Sequence, residues 1–336
     1  MGSGVTNGSD VKTARRGSGR ISLTLGVALI VVFEVGLFAD VAFRDGALVP
    51  HQDLPVPDGV VPEIARWIAV NMTPLCWTAY ILLMDGLLAG IASGRRARGA
   101  ADTAAIRARP VRFLVCFLAS IPIWLVFDGI NFGFIMAWDY HGLPDNLLHR
   151  HIAYFFAFGA ICPAMFLTAE LLIGLRLVRL RGLVVRIGPR VQVAMMIAGL
   201  LAGLFPILVR DPIGSLTLWL AFWFLLDPIN HRLGAPSLIG DWAQGRWTRT
   251  VALMLAGLIC GFLWEFWNYW ATAKWTYDLP FLGPAEAFKY FEMPVIGLVG
   301  FLPFALECWV MFQTVVLVLR RLGLRRVEDL PDKAVL

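Results

Sequence analysis

Two short segments of this 336-residue chain hold the residue types that acid–base chemistry in an apolar setting would use. In one, Glu265 and Asn268 stand within the aromatic run Trp264, Phe266, Trp267, Tyr269, Trp270, followed by Trp275, Tyr277 and, in the next apolar run, Glu307. In the other, Asp128, Asn131, Trp138, Tyr140 and Glu170 keep the same order, each 137 positions earlier. The shared pattern is (Asp/Glu)-x2-Asn-x6-Trp-x-Tyr-x29-Glu, and an internal repeat is the first feature that a fold must explain. An acid and an Asn three residues apart share one helix face. This spacing assigns Glu265 as proton donor or base, Asn268 as the group orienting it and Glu307 as a second acid. Asp128, Asn131 and Glu170 are the counterparts in the first copy.

A carboxyl among indole rings can hand a proton to an alkene, an epoxide or an ether oxygen, and the ring faces can stabilise the cation that forms. Trp264, Trp267, Trp270, Trp275 and Tyr277 around the second acid are therefore candidate substrate contacts. So are Trp124, Trp138 and Tyr140 around the first. The two Trp-x-Tyr pairs also suit a plainer role, an aromatic belt at a membrane surface.

The elements positioning these residues must be membrane helices. Hydrophobic residues make up 58% of the chain and charged residues 16%, against roughly a quarter charged in soluble domains. Apolar runs of about 20 residues, enough to cross a hydrocarbon core, recur along it. The formal charge of +5 calls for no nucleic-acid partner, because the Arg surplus sits in short loops between apolar runs, as topology signals do. The five cysteines lie singly within apolar runs and read as buried thiols. The cysteines show no Cys-x2-Cys metal spacing, and the sequence leaves the cofactor unknown. His149-Arg150-His151 has residue types that could ligate a metal or haem, but a solvated loop is the better reading.

The runs predict eight spans at about 21–43, 64–93, 111–138, 152–177, 191–209, 212–228, 250–270 and 291–319. Arg-rich loops follow the second, fourth, sixth and eighth, so both termini fall on one side, the cytoplasmic side of a cell (inner) membrane. A second match, Trp77-x-Ala79-Tyr80-x3-Met84-Asp85 against Trp219-x-Ala221-Phe222-x3-Leu226-Asp227, lies at an offset of 142. The expected fold is therefore an all-α polytopic membrane bundle of about eight transmembrane helices, built as a parallel 4+4 tandem repeat. Its parts are a disordered cytoplasmic tail (1–20), a first four-helix repeat (21–190), a second (191–320) and a C-terminal cytoplasmic tail (321–336).

Six matched acids facing lipid would cost on the order of 15 kcal/mol, more than a typical domain's net stability. They must point inward. Of the functions compatible with this, the sequence favours an enzyme acting on a membrane lipid or hydrophobic small molecule such as an isoprenoid. The alternatives are a proton-coupled transporter and a non-catalytic membrane subunit. The layout of repeated aromatic and acidic residues resembles that of the bacterial lycopene cyclases, which implies proton-driven isoprenoid chemistry; the Pro-x-Glu-Glu segment of that family is absent.

Overall fold

The computed structural model describes residues 8–44, 56–96, 106, 109–324 and 335 of the chain. Ten α-helices are found among them: α1 (Gly8–Phe43), α2 (Val60–Val70), α3 (Met72–Arg96), α4 (Pro110–Ile130), α5 (Leu147–Gly174), α6 (Pro189–Val209), α7 (Ser215–Arg232), α8 (Leu238–Trp242), α9 (Thr248–Trp270) and α10 (Phe301–Arg321). Eight helical segments among the described residues are long and apolar enough to cross a membrane. The chain is thus a mostly helical, polytopic bundle.

Packing separates an inner set from a flanking set. Of the most apolar window in α5, 67% is buried inside the protein, against 17% in α1 and in α6. The outer faces of those two helices, with Val31, Val35, Leu201 and Leu208, are left to the hydrocarbon, which asks only for apolar contact and satisfied backbone groups. The same pairings recur along the chain: α1 packs on α3 and α6 on α7, α3 on α5 and α7 on α10, α4 on α5 and α9 on α10. The α5–α9 and α4–α10 contacts join the two groups.

Several boundaries differ from the expected spans. The second run breaks at Asn71, whose side chain donates to the Trp67 carbonyl (2.8 Å). Pro74, which has no amide to give, follows in the first turn of α3, where none is needed. The third run leaves the α-helix at Ile130, passes through a π-helical turn (Asn131–Ile135) and stops at Met136 in the left-handed conformation (φ 48°). The last span begins with a 3₁₀ turn (Val295–Gly300) rather than at Phe291, because Pro294, Gly297 and Gly300 weaken the helix there. α1 begins at Gly8, so residues 8–20 join a helix instead of a disordered tail. Most of the Pro-rich segment after Arg44, of the Arg-rich segment before Arg109 and of the tail 321–336 lies outside the described residues.

Two antiparallel pairs of short strands interrupt the helices: β1 (Trp138–His141) with β2 (Lys274–Tyr277), and β3 (Lys289–Tyr290) with β4 (Met293–Pro294). The β1–β2 ribbon closes one end of the bundle. Thr272 just before it takes the Ala69 carbonyl (3.1 Å), His149 meets Asn71 (2.8 Å), and Arg44 donates to the Trp270 carbonyl (2.9 Å). The other end is held by the Arg-rich loops, where Asp241 pairs with Arg246 (2.7 Å) and Arg249 (2.6 Å).

α6 and α7 approach closely because Gly199 has no side chain: a Cβ there would meet the Leu225 amide and the Ala221 carbonyl. Gly203, one turn on, has room for one, at an ordinary 3.6 Å from the Ala221 Cβ. Gly199→Leu should therefore destabilise the protein by about 1–3 kcal/mol, the usual range for overpacking, while Gly203→Ala leaves it unchanged. Thermal unfolding of the two variants in detergent checks this; equal midpoints would refute it.

Candidate functional site

The repeated motif builds the same small structure twice at the ribbon end. Asn131, at the end of α4, receives the amides of Ala137 (2.7 Å) and Trp138 (3.2 Å) on its Oδ1 and donates from Nδ2 to the Trp138 carbonyl (2.7 Å). Asn268, at the end of α9, receives the Trp275 amide (2.8 Å) and donates to the Trp275 carbonyl (2.8 Å). Each Asn thus ends a helix by clamping the strand tryptophan seven positions on. Both are fully buried, so the clamps also satisfy side-chain groups that would be costly to leave unpaired. Neither Asn bonds its neighbouring acid. The orienting role expected of Asn268 falls to the ribbon.

In a strand, alternate residues share a face, so Trp-x-Tyr sends both rings the same way. The register pairs Trp138 with Tyr277 and Tyr140 with Trp275, which gathers all four rings on one face. That face looks inward, onto the acids one helical turn before each Asn. Tyr277 donates to Glu265 Oε1 (2.8 Å) and accepts from Trp275 Nε1 (2.7 Å). Tyr140 donates to Asp128 (3.0 Å to Oδ1, 3.2 Å to Oδ2) and accepts from Trp124 Nε1 (3.2 Å). Trp138 Nε1 donates to Asp128 Oδ1 as well (3.1 Å). These rings are therefore turned inward and do not form a surface belt.

The two copies differ at the carboxyl. Both oxygens of Asp128 have donors, whereas Glu265, fully buried, leaves Oε2 without a hydrogen-bond partner. Both phenols lie outside the membrane spans. Burial first, and then the adjacent carboxyl, pushes Tyr140 and Tyr277 well above the ordinary phenol value. They remain hydrogen-bond donors through the physiological range.

The phenols and indoles form part of the wall of a cavity of ≈ 670 Å³. Trp124, Trp138, Tyr140, Trp264, Trp275 and Tyr277 line it. Asp128 and Glu265 do not; they stand behind the tyrosines, out of direct reach of a ligand. Trp267 and Trp270, expected as substrate contacts, are also elsewhere: Trp267 donates to Glu34 (3.2 Å) and Trp270 packs on Phe38 (ring centroids 5.4 Å apart).

The remaining matched acids are spread along the bundle. Glu307 accepts the Phe222 amide (2.6 Å), and Glu170 pairs with Arg109 (2.8 Å). Asp85 accepts the Ile106 amide (2.7 Å), and Asp227 accepts the amides of Leu238 and Ile239 (2.8 and 2.9 Å). These contacts fasten helices and loops.

Sequence reasoning missed Trp219, Phe304, Tyr154, Arg150 and Lys274 in the cavity wall. Trp219 was marked by its repeat match to Trp77. Arg150 and Lys274 carried a different mark: they are basic residues at the end of the bundle that the Arg-rich loops avoid.

No family model, curated protein or solved structure matches this chain. Fold and site define its class on their own: it is an integral membrane protein, with eight apolar helices among the described residues and a large aromatic cavity at one end.

The phenol shifts give a direct check. When the native protein is titrated past pH about 10, where ordinary phenols ionise, Tyr277 should stay neutral. The rise in phenolate absorbance should therefore be the same in wild type and Tyr277→Phe until the protein unfolds. A rise smaller by one tyrosine in the variant would show that Tyr277 ionises in place.

Proposed function

We propose that this protein is a membrane enzyme performing acid–base chemistry on a lipid or isoprenoid held in the ribbon-end cavity. The observation that carries this reading is the Tyr277–Glu265 pair at the wall of a large apolar, aromatic cavity. Tyr277 presents the reacting hydroxyl. Glu265 supplies or receives the proton through it, so the carboxyl never needs to touch the substrate. Trp275 holds the phenol from the other side. Trp264, Trp124 and Trp138 offer ring faces to positive charge developing on the substrate.

The inequality of the two copies supports one working pair. Asp128 has all its oxygens engaged, as suits a structural counterpart, while Glu265 keeps one buried oxygen unpaired. Glu170 bonds to Arg109, and Glu307, which like Glu265 keeps one buried oxygen unpaired but lies away from the cavity wall, bonds to the Phe222 backbone. These contacts favour anchoring roles over steps in a proton path, and so favour an enzyme over a proton-coupled carrier. The recurring helix pairings and the two equivalent Asn clamps support a parallel 4+4 tandem repeat. The Arg-rich end is then cytoplasmic by the positive-inside rule, with the cavity toward the opposite face of the cell membrane.

Removing an acid–base group lowers rates by roughly 10²–10⁴-fold. Lipid extracts of membranes carrying the wild type should therefore contain a converted species that falls by about 100-fold or more with Glu265→Gln or Tyr277→Phe, at equal protein level. Asp128→Asn should cost far less. Mass spectrometry of the extracts reads this out. Lipid profiles identical in wild type and Glu265→Gln would contradict the assignment.

A further inference from the structure

The charge of the cavity wall is one-sided. Among the described residues lining it only Arg150 and Lys274 are charged, and both are cationic; no carboxylate reaches the surface. The nearest acids stand behind the wall: Asp128 and Glu265 beneath the tyrosines, and Glu292 in an ion pair with Lys274. Arg150 engages one protein group, through its Nε, which donates to the Pro144 carbonyl (2.8 Å). Among the described residues no carboxylate pairs with it. It stands in the first turns of α5, whose N-terminus is capped by Asn146, and the positive end of a helix adds to its field. Tyr140, Tyr154, Tyr277 and Ser215 line the same space. The terminal donors of this half-buried guanidinium have no protein partner among the described residues, which leaves them open to a charge-assisted bond from a ligand anion.

Part of the cavity wall is also outer surface. Leu216 at the start of α7, and Ile296 and Val299 in the 3₁₀ turn before α10, line the cavity and are each more than half exposed. Gly297 and Gly300 of the same turn also line it; a Cβ on Gly297 would meet Met293 Sδ, whereas one on Gly300 would only touch the Trp219 ring at ordinary distance. The apolar lining is therefore continuous from the aromatic interior to the bilayer, sideways between α7 and the 3₁₀ turn.

From Arg150 and the lateral opening together, we infer that the ligand is an anionic amphiphile: a carboxylate or phosphate head on Arg150, and an acyl or prenyl chain running past the indoles and out toward the lipid. Lys274 is already held by Glu292 and the Tyr269 carbonyl. This deepens the proposed function by naming the substrate class of the same cavity, and it rests on that reading only in taking the cavity as the working site. Lateral entry suits it, since such a molecule arrives dissolved in the membrane. The head anchored at Arg150 would hold one chain position beside Tyr277.

The test is binding, so its failure is separable from failure of the chemistry, which the lipid extracts read. Protein in phosphatidylcholine nanodiscs is titrated with laurate, dodecyl phosphate and dodecanol, and the emission of the cavity tryptophans is followed. Either anion, or both, should bind at least about tenfold tighter than the alcohol, the scale of one charge-assisted hydrogen bond; which anion leads tells carboxylate from phosphate. Arg150→Gln should remove that preference and Arg150→Lys should restore most of it. Val299→Trp, which fills the opening, should weaken laurate, dodecyl phosphate and dodecanol alike. Dodecanol binding as tightly as both anions, or an undiminished preference in Arg150→Gln, would overturn the inference even if Glu265→Gln abolishes conversion.

Discussion

Everything at the ribbon end depends on two buried asparagine clamps. An amide that takes the backbone of a residue seven places on ends its helix and starts a strand in one step. The strand then cannot shift, because moving it by one residue would send Trp and Tyr to the other face and orphan the amide. With the clamps set, β1 and β2 pair, their four rings converge, and the tyrosine hydroxyls arrive on carboxyls one helical turn below. The acid, the Asn, the Trp and the Tyr are therefore one device, and their spacing is the spacing that its geometry requires.

That device answers the difficulty of keeping an ionisable group in a membrane. A carboxyl facing lipid is costly, and one facing water is chemically ordinary. Here each acid is sealed beneath an aromatic ribbon and addressed through a phenol. The cavity lining is apolar and aromatic, with Arg150 and Lys274 the charged residues among the described ones. Of the two acids under the ribbon, Glu265 is the one that keeps a buried oxygen, Oε2, without a partner, and this marks the copy proposed to do the work.

Much of this was legible in the chain. The eight spans followed from run length, the acid and Trp-x-Tyr positions from their shared interval, and the inward direction of the acids from the cost of the alternative. What escaped was whatever depended on pairing between distant segments. Asn131 and Asn268 were read against their neighbours on the helix, yet their partners lie beyond its end. The Trp-x-Tyr pairs suited a surface belt because nothing local reveals that β1 and β2 meet. Arg150 was read with two histidines as solvated loop, although a basic residue away from the Arg-rich end was already an exception in need of a reason. Glu170 and Glu307 kept the interval while serving as fasteners, so a repeated position is not by itself a repeated function.

The central claim is that Tyr277 and Glu265 act as one unit, and a double-mutant cycle on conversion rate measures this most directly. If the proton passes through the phenol, Glu265→Gln combined with Tyr277→Phe should be no slower than the slower single variant. Losses that multiply would show two independent groups and contradict the account.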